Sequence, residues 1–188
     1  AKLDANANLV YFRYFGTKNY DKMNNLKLLS DGGVLSVGSS FTSRATTDNM
    51  FKTGLGNNDI FLTRFSKDGK MLWSKKFGTK YDDQGIDAVE ANDGSILVLS
   101  TTYHDQHKDA SLMRITENGN RIWLKHYKST NLLQPKKLIK LRDGNFVATI
   151  TEYNDMQKEH IRLIKFDLYK NVLIDREITT TYPSGLND

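Results

Sequence analysis

Cysteine is missing altogether from these 188 residues, and proline occurs only twice. The first absence excludes disulfides, cysteine-ligated zinc and thiol catalysis. The second leaves strands little interrupted. No apolar run reaches the roughly 18 residues of a membrane-spanning helix, so no membrane span is expected. The opening AKLDANANLVYF lacks the basic and apolar regions of a signal peptide. Long single-sign tracts are missing too: 27 basic and 22 acidic residues leave a net charge of +5 that is spread along the chain. A nucleic-acid footprint needs basic groups gathered with aromatics between them, so no nucleic-acid partner is expected. Helical periodicity is nowhere evident, yet 38% hydrophobic and 26% charged residues are the proportions of a globular chain.

What is present is a repeat. The stretch FSKDGKMLWSKKFG from Phe65 to Gly78 has near-copies at Leu3 to Gly16, Ile115 to Lys128 and, more worn, Phe166 to Thr179, spaced by 62, 50 and 51 residues. A period of about 50 marks an array built from one small unit. Aligned on Phe15, Phe77 and Tyr127, each unit reads as four short strands, A to D. Strand A is expected near Asn24 to Leu29, Ile86 to Ala91 and Lys136 to Leu141. An Asp-Gly pair follows at 31–32, 93–94 and 143–144, the signal for a two-residue type I′ hairpin. Strand B (VLSVGSS, ILVLSTT, FVATITE) is nearly continuous in apolar residues, as a strand covered on both faces would be. Strand C alternates: Ile60, Leu62 and Arg64 recur as Ala110, Leu112 and Arg114, then as Ile161, Leu163 and Lys165. Strand D closes on Trp73 or Trp123, with Tyr11 and Ile174 at the same place in the other copies.

A lone four-stranded sheet of this size cannot bury both faces, so neighbouring sheets must cover them. The expected fold is therefore all-β: β-propeller blades of four antiparallel strands, three full blades at about 17–78, 79–128 and 129–179, preceded by one extra strand in 1–16 that belongs to a further blade, with a tail at 180–188. The smallest closed rings have about four blades, so the chain is expected to be part of a larger propeller or a ring completed by another chain.

The motifs DGGVLSVGS, NDIFLTRF, KDGKMLW and DDQG resemble the repeats of bacterial β-propeller proteins found in exported and cell-surface proteins, and the resemblance covers Leu3 to Ile178. That resemblance implies a propeller fold and an exported location: periplasmic, cell-surface or secreted. GKMLW and GNRIW are also similar to the pyrroloquinoline-quinone propeller repeat, but the Thr-Gly turn and preceding aspartate of that motif are missing, and no cofactor is expected.

Candidate binding residues fall on the end that carries the D–A and B–C loops, because loops on a rigid scaffold are where binding groups concentrate. The first B–C loop, 41–58, is about 12 residues longer than its counterparts. Its Arg44, Asp48, Phe51 and Lys52 mix charges with an apolar anchor. Tyr20, Asp21, Tyr81, Asp82 and Asp83 lie in the D–A loops, where the acids can take a cation or sugar hydroxyls, or accept backbone N–H groups at a strand entrance. His104 and His107 supply two imidazoles, short of a closed zinc site, so no metal is assigned. Arg64, Arg114 and Lys165 are expected to pair with a neighbouring blade's carboxylate. The chain has no G-x-S-x-G elbow, P-loop, H-E-x-x-H or sialidase-type Asp-box, so it is not expected to be an enzyme. The expected function is a non-catalytic scaffold that binds a protein partner, or further blades of its own or another chain. A carbohydrate-binding propeller is the alternative.

Overall fold

The computed structural model describes residues 1–18, 20–41, 57–104, 107–153 and 159–178, without the side chains of His104 and His107. The described chain is all-β. A two-stranded sheet, β1 (Lys2–Leu3) with β2 (Leu9–Tyr11), is followed by three four-stranded antiparallel sheets. Sheet 1 holds β3 (Asp21–Leu28), β4 (Val34–Phe41), β5 (Asn58–Phe65) and β6 (Met71–Phe77). Sheet 2 holds β7 (Asp82–Glu90), β8 (Ile96–His104), β9 (His107–Ile115) and β10 (Arg121–Tyr127). Sheet 3 holds β11 (Leu132–Lys140), β12 (Phe146–Tyr153), β13 (Glu159–Phe166) and β14 (Val172–Ile178). Each is a simple A-B-C-D meander, the pattern of a propeller blade.

Sheet 2 shows why the sheets stack. Along β8, Ile96 and Val98 face sheet 1 and join Leu35, Val37, Ile60 and Leu62, while Leu97 and Leu99 point the other way into Phe146, Ala148, Ile150 and Phe166 of sheet 3. The B strands of sheets 1 and 2 are covered on both faces, as their composition predicts, whereas in β12 of sheet 3 Val147 and Thr149 are only half-buried. Strand C is also buried on both sides in sheet 1: its polar alternate, Thr63, meets Ser74 at 2.9 Å between their hydroxyls. Trp73 and Phe77 line the first interface and Trp123 and Tyr127 the second. Burial there pushes the Tyr127 phenol up to about 12.

The turns differ from the type I′ expectation. In the first A–B turn, Leu29 N–H donates to Gly33 O at 2.8 Å and Gly32 N–H to Leu29 O at 3.0 Å, enclosing three residues. Only Gly32 has positive φ, +78°, and Asp31 does not. This is a type I turn with a bulge, and Asp31 holds it by accepting the Gly33 N–H at 2.8 Å. The same backbone pair closes 4–8, 66–70, 91–95, 116–120, 141–145 and 167–171. The last forms without Asp-Gly: Lys170 takes φ +68°, and Asp167 accepts the N–H groups of Tyr169 and Asn171.

Residues 1–16 hold a hairpin rather than the single expected strand, and its contacts repeat those between full sheets. Arg64 Nη1 donates to Glu117 O of sheet 2 at 2.7 Å, and Lys2, at the same repeat position, donates through Nζ to Lys67 O of sheet 1 at 3.2 Å. Phe15 meets Phe65 edge to face at 4.9 Å, from the position that Phe77 and Tyr127 hold later. Beyond the turns, Leu112, 1% exposed, fills the core between sheets 2 and 3. Leu112→Ala is expected to cost about 2–5 kcal/mol of unfolding free energy, read from the urea midpoint at unchanged slope.

Candidate functional site

The strand A positions place the candidate acids differently from the sequence reading. Each A strand begins three or four residues earlier than expected and contains a bulge, at Asn24, Ile86 and Lys136. The extra residue lets the strand run on past the point where its pattern changes. Asp21, Asp82 and Asp83 therefore belong to strands, not to the D–A loops.

Their partners are local. Asp83, 1% exposed, accepts the Thr79 N–H at 2.6 Å, the Thr79 hydroxyl at 2.9 Å and the Thr102 hydroxyl at 2.5 Å. Asp21 receives the N–H and hydroxyl of Thr17 in the same way. Gly78 lies beside this group: a Cβ there would stand 2.3 Å from Asp59 Oδ1 and 3.1 Å from Asp83 Oδ2, so a side chain has no room. In sheet 3 Leu133 occupies the place of Asp83, but Glu152 replaces Thr102. Its Oε1 accepts the Ser129 hydroxyl at 2.5 Å and Asn131 Nδ2 at 3.0 Å. The carboxylate has moved from strand A to strand B and holds the same loop. Asp82 accepts the N–H groups of Asn57 and Asn58, fastening sheet 1 to sheet 2.

Tyr20 is 81% exposed at this end, while Tyr81 is half-buried with Lys80 Nζ 4.9 Å from its ring centre. His104 and His107 are paired across the tip of β8 and β9 rather than lying on a loop, and their side chains are outside the description. Arg44, Asp48, Phe51, Lys52 and the tail from 180 also lie outside the described residues. No group of three or more His, Asp or Glu is placed to hold a metal ion among the described residues, and no helix there is long and apolar enough to cross a membrane.

The recurring bases need a correction. Arg64 pairs with Asp31 of its own sheet at 2.8 Å, Arg114 with Asp93, and Lys165 with Asp143 at 2.7 Å. What crosses to the next sheet is the hydrogen bond to a turn carbonyl: Glu117 O for Arg64 and Leu168 O for Arg114. The base therefore clamps an A–B turn to the neighbouring C–D turn. The Lys165 ammonium holds Asp143 down at about 2, helped by the Asn145 N–H.

Asp87, 0% exposed and not singled out by its motif, is the polar hub of the inner edge. It accepts from Asn25 Nδ2 at 2.8 Å and Lys27 Nζ at 2.6 Å in sheet 1, and from the Leu138 N–H at 3.0 Å in sheet 3. Repeat alignment holds the signal that finds it: Asn25, Asp87 and Lys137 are equivalent positions, and Asp87 accepts from Asn25 on one side and pairs with Lys137 at 3.5 Å on the other.

A separate cleft of about 380 Å³ opens between the N-terminal segment and sheet 1, with Arg13, Phe15, Phe61, Phe65 and Met71 among its lining residues. Comparison with known proteins returns no match, either to a protein-family model or to a curated protein.

Three outcomes test this assignment of the acids. Asp83→Ala is expected to lose about 1–3 kcal/mol of unfolding free energy, since buried donors on Thr79 and Thr102 lose their acceptor. Burial raises the Asp83 carboxyl above its ordinary 3.8, so the folded state binds the extra proton and stability falls as pH climbs from 3.8 towards that raised value. Asp83→Asn removes that slope in a pH series of urea melts. Asp143 has the opposite sign: its contribution is present above 3.8 and lost as pH falls to about 2. Asp143→Asn flattens that acid limb.

Proposed function

We propose that this chain is a non-catalytic binding scaffold, built of propeller-type blades, that presents its D–A and B–C end to a protein partner within an exported or surface assembly. The observation that carries the reading is how the acids at that end are used. Asp21, Asp82, Asp83 and Glu152 are each engaged by hydroxyls, amides or backbone N–H groups of their own neighbourhood. Such acids hold loops in place. What they leave exposed is Tyr20 and the edges of Phe41 and Tyr103, 37% and 39% accessible, amphipathic surface of the kind protein interfaces use. Saccharide stacking is less well served: Lys80 and Lys108 stand near the ring faces of Tyr81 and Tyr103, at 4.9 and 4.8 Å from their centres.

Removal of residues 48–56 tests the proposal. The shortened chain is expected to keep its β-type circular dichroism and its unfolding midpoint while losing the partner that co-purifies with the intact chain. Unchanged co-purification by the shortened chain counts against a role for this end.

A further inference from the structure

The strand ends of sheets 1 and 2 form one continuous rim at the D–A and B–C end. In sheet 1 the Phe41 N–H donates to Tyr20 O at 2.7 Å, and Phe41 pairs in turn with Asn58. Asp82 of sheet 2 accepts the N–H groups of Asn57 and Asn58 at 3.2 and 3.1 Å, which carries the rim across from one sheet to the next. Asp82 then lies opposite Tyr103, and Tyr103 opposite Lys108. Sheets stack face to face, so a neighbouring sheet covers a face and leaves such a rim open.

Charge on this rim is one-sided. Among the described residues of the two sheets, the acids at this end are turned inward or held. Asp59, Asp83 and Asp109 are 0%, 1% and 9% exposed, and Asp21 and Asp82 accept the backbone N–H groups of Thr17, Asn57 and Asn58. The lysines are on the outside. Lys18, Lys80 and Lys128 are exposed and Lys108 is half-buried, and none of the four enters an ion pair among the described residues. The rim therefore carries positive charge that its own carboxylates do not neutralise.

Two of these ammonium groups are already positioned. Lys80 Nζ lies 4.9 Å from the ring centre of Tyr81, and Lys108 Nζ 4.8 Å from that of Tyr103. A lysine held over a ring loses less side-chain freedom when a carboxylate meets it. The same placement closes those ring faces to the base stacking that single-stranded nucleic acid needs. Beside them Tyr20 is 81% exposed, Phe41 37% and Tyr103 39%, which adds apolar contact area to the charge.

We infer that this rim recognises an acidic segment of its protein partner. Carboxylates of the segment meet Lys80 and Lys108, and apolar or aromatic side chains between them pack on Tyr20, Phe41 and the edge of Tyr103. The inference rests on the reading of this end as a protein-binding surface and names the chemistry of the partner. Its test uses a synthetic peptide and point substitutions and leaves the 41–58 loop intact, so it can fail while that reading stands.

Fluorescence anisotropy with a labelled peptide of alternating glutamate and tyrosine tests it. The chain is expected to bind that peptide and not its counterpart with lysine in place of glutamate, and to bind less tightly as salt is raised. Joint Lys80→Glu and Lys108→Glu substitution is expected to lower the affinity on the order of 10-fold at an unchanged unfolding midpoint. Joint Lys67→Glu and Lys70→Glu substitution makes the same change in net charge at exposed positions in the turn at the other end of sheet 1, and is expected to leave the affinity as it was. Failure of the glutamate peptide to bind overturns the inference. An equal loss from the Lys67 and Lys70 pair does so too, since the attraction is then one of net charge alone. An oligothymidylate of matched charge that binds more tightly than the peptide and displaces it also overturns the inference, because the rim is then a nucleic-acid surface.

Discussion

Each four-stranded sheet buries side chains against a neighbouring sheet, and that constraint governs the rest of the structure. Four strands of seven to nine residues have no third layer of their own. Their two faces are dry only when other sheets lie against them. Sheet 2 meets that condition fully, with Ile96 and Val98 covered on one side and Leu97 and Leu99 on the other, all at most 1% exposed. The end units meet it on one side. β14 is exposed along its whole length, with no described sheet lying against it.

Polar groups then set spacing and order within the stack. The Arg64 and Arg114 guanidinium groups each join a turn aspartate of their own sheet to a carbonyl of the next, a use for which a planar fork of donors is well shaped. Lys75 and Lys125 add bonds from strand D to carbonyls of the following C–D turn. At the inner edge Asp87 joins three A strands. These contacts sit at the ends and edges of the sheets, where turn carbonyls and bulged strands leave backbone groups without ladder partners.

The acid that holds each D–A loop shows one requirement met from two different places. Asp21 and Asp83 reach the loop from strand A, and Glu152 reaches it from strand B with a longer side chain. What the site requires is an acceptor for a Thr or Ser at 17, 79 or 129, and either strand can supply it. A residue-by-residue comparison of units sees only a lost aspartate at Leu133; the compensating glutamate is visible only once strands A and B are paired.

The four-strand unit, its order and its inward faces were legible in the chain, because alternation and turn glycines act over a few residues and repeat. Strand B could be read as doubly covered from its composition, which holds in sheets 1 and 2 but not for Val147 and Thr149 of sheet 3, and Arg64, Arg114 and Lys165 as structural from their repetition. Turn type was misread, since Asp-Gly serves both a two-residue and a three-residue hairpin and only the backbone bonds tell them apart. The acids at 21, 82 and 83 were read as loop residues because a bulge changes the side-chain phase in mid-strand, which a fixed two-residue period does not anticipate. Local pattern by itself determined which segments pair into sheets. Which carboxylate meets which donor, and which apolar faces stay uncovered, was decided by tertiary structure, because those contacts join residues some 20 to 60 positions apart whose meeting depends on how the sheets stack.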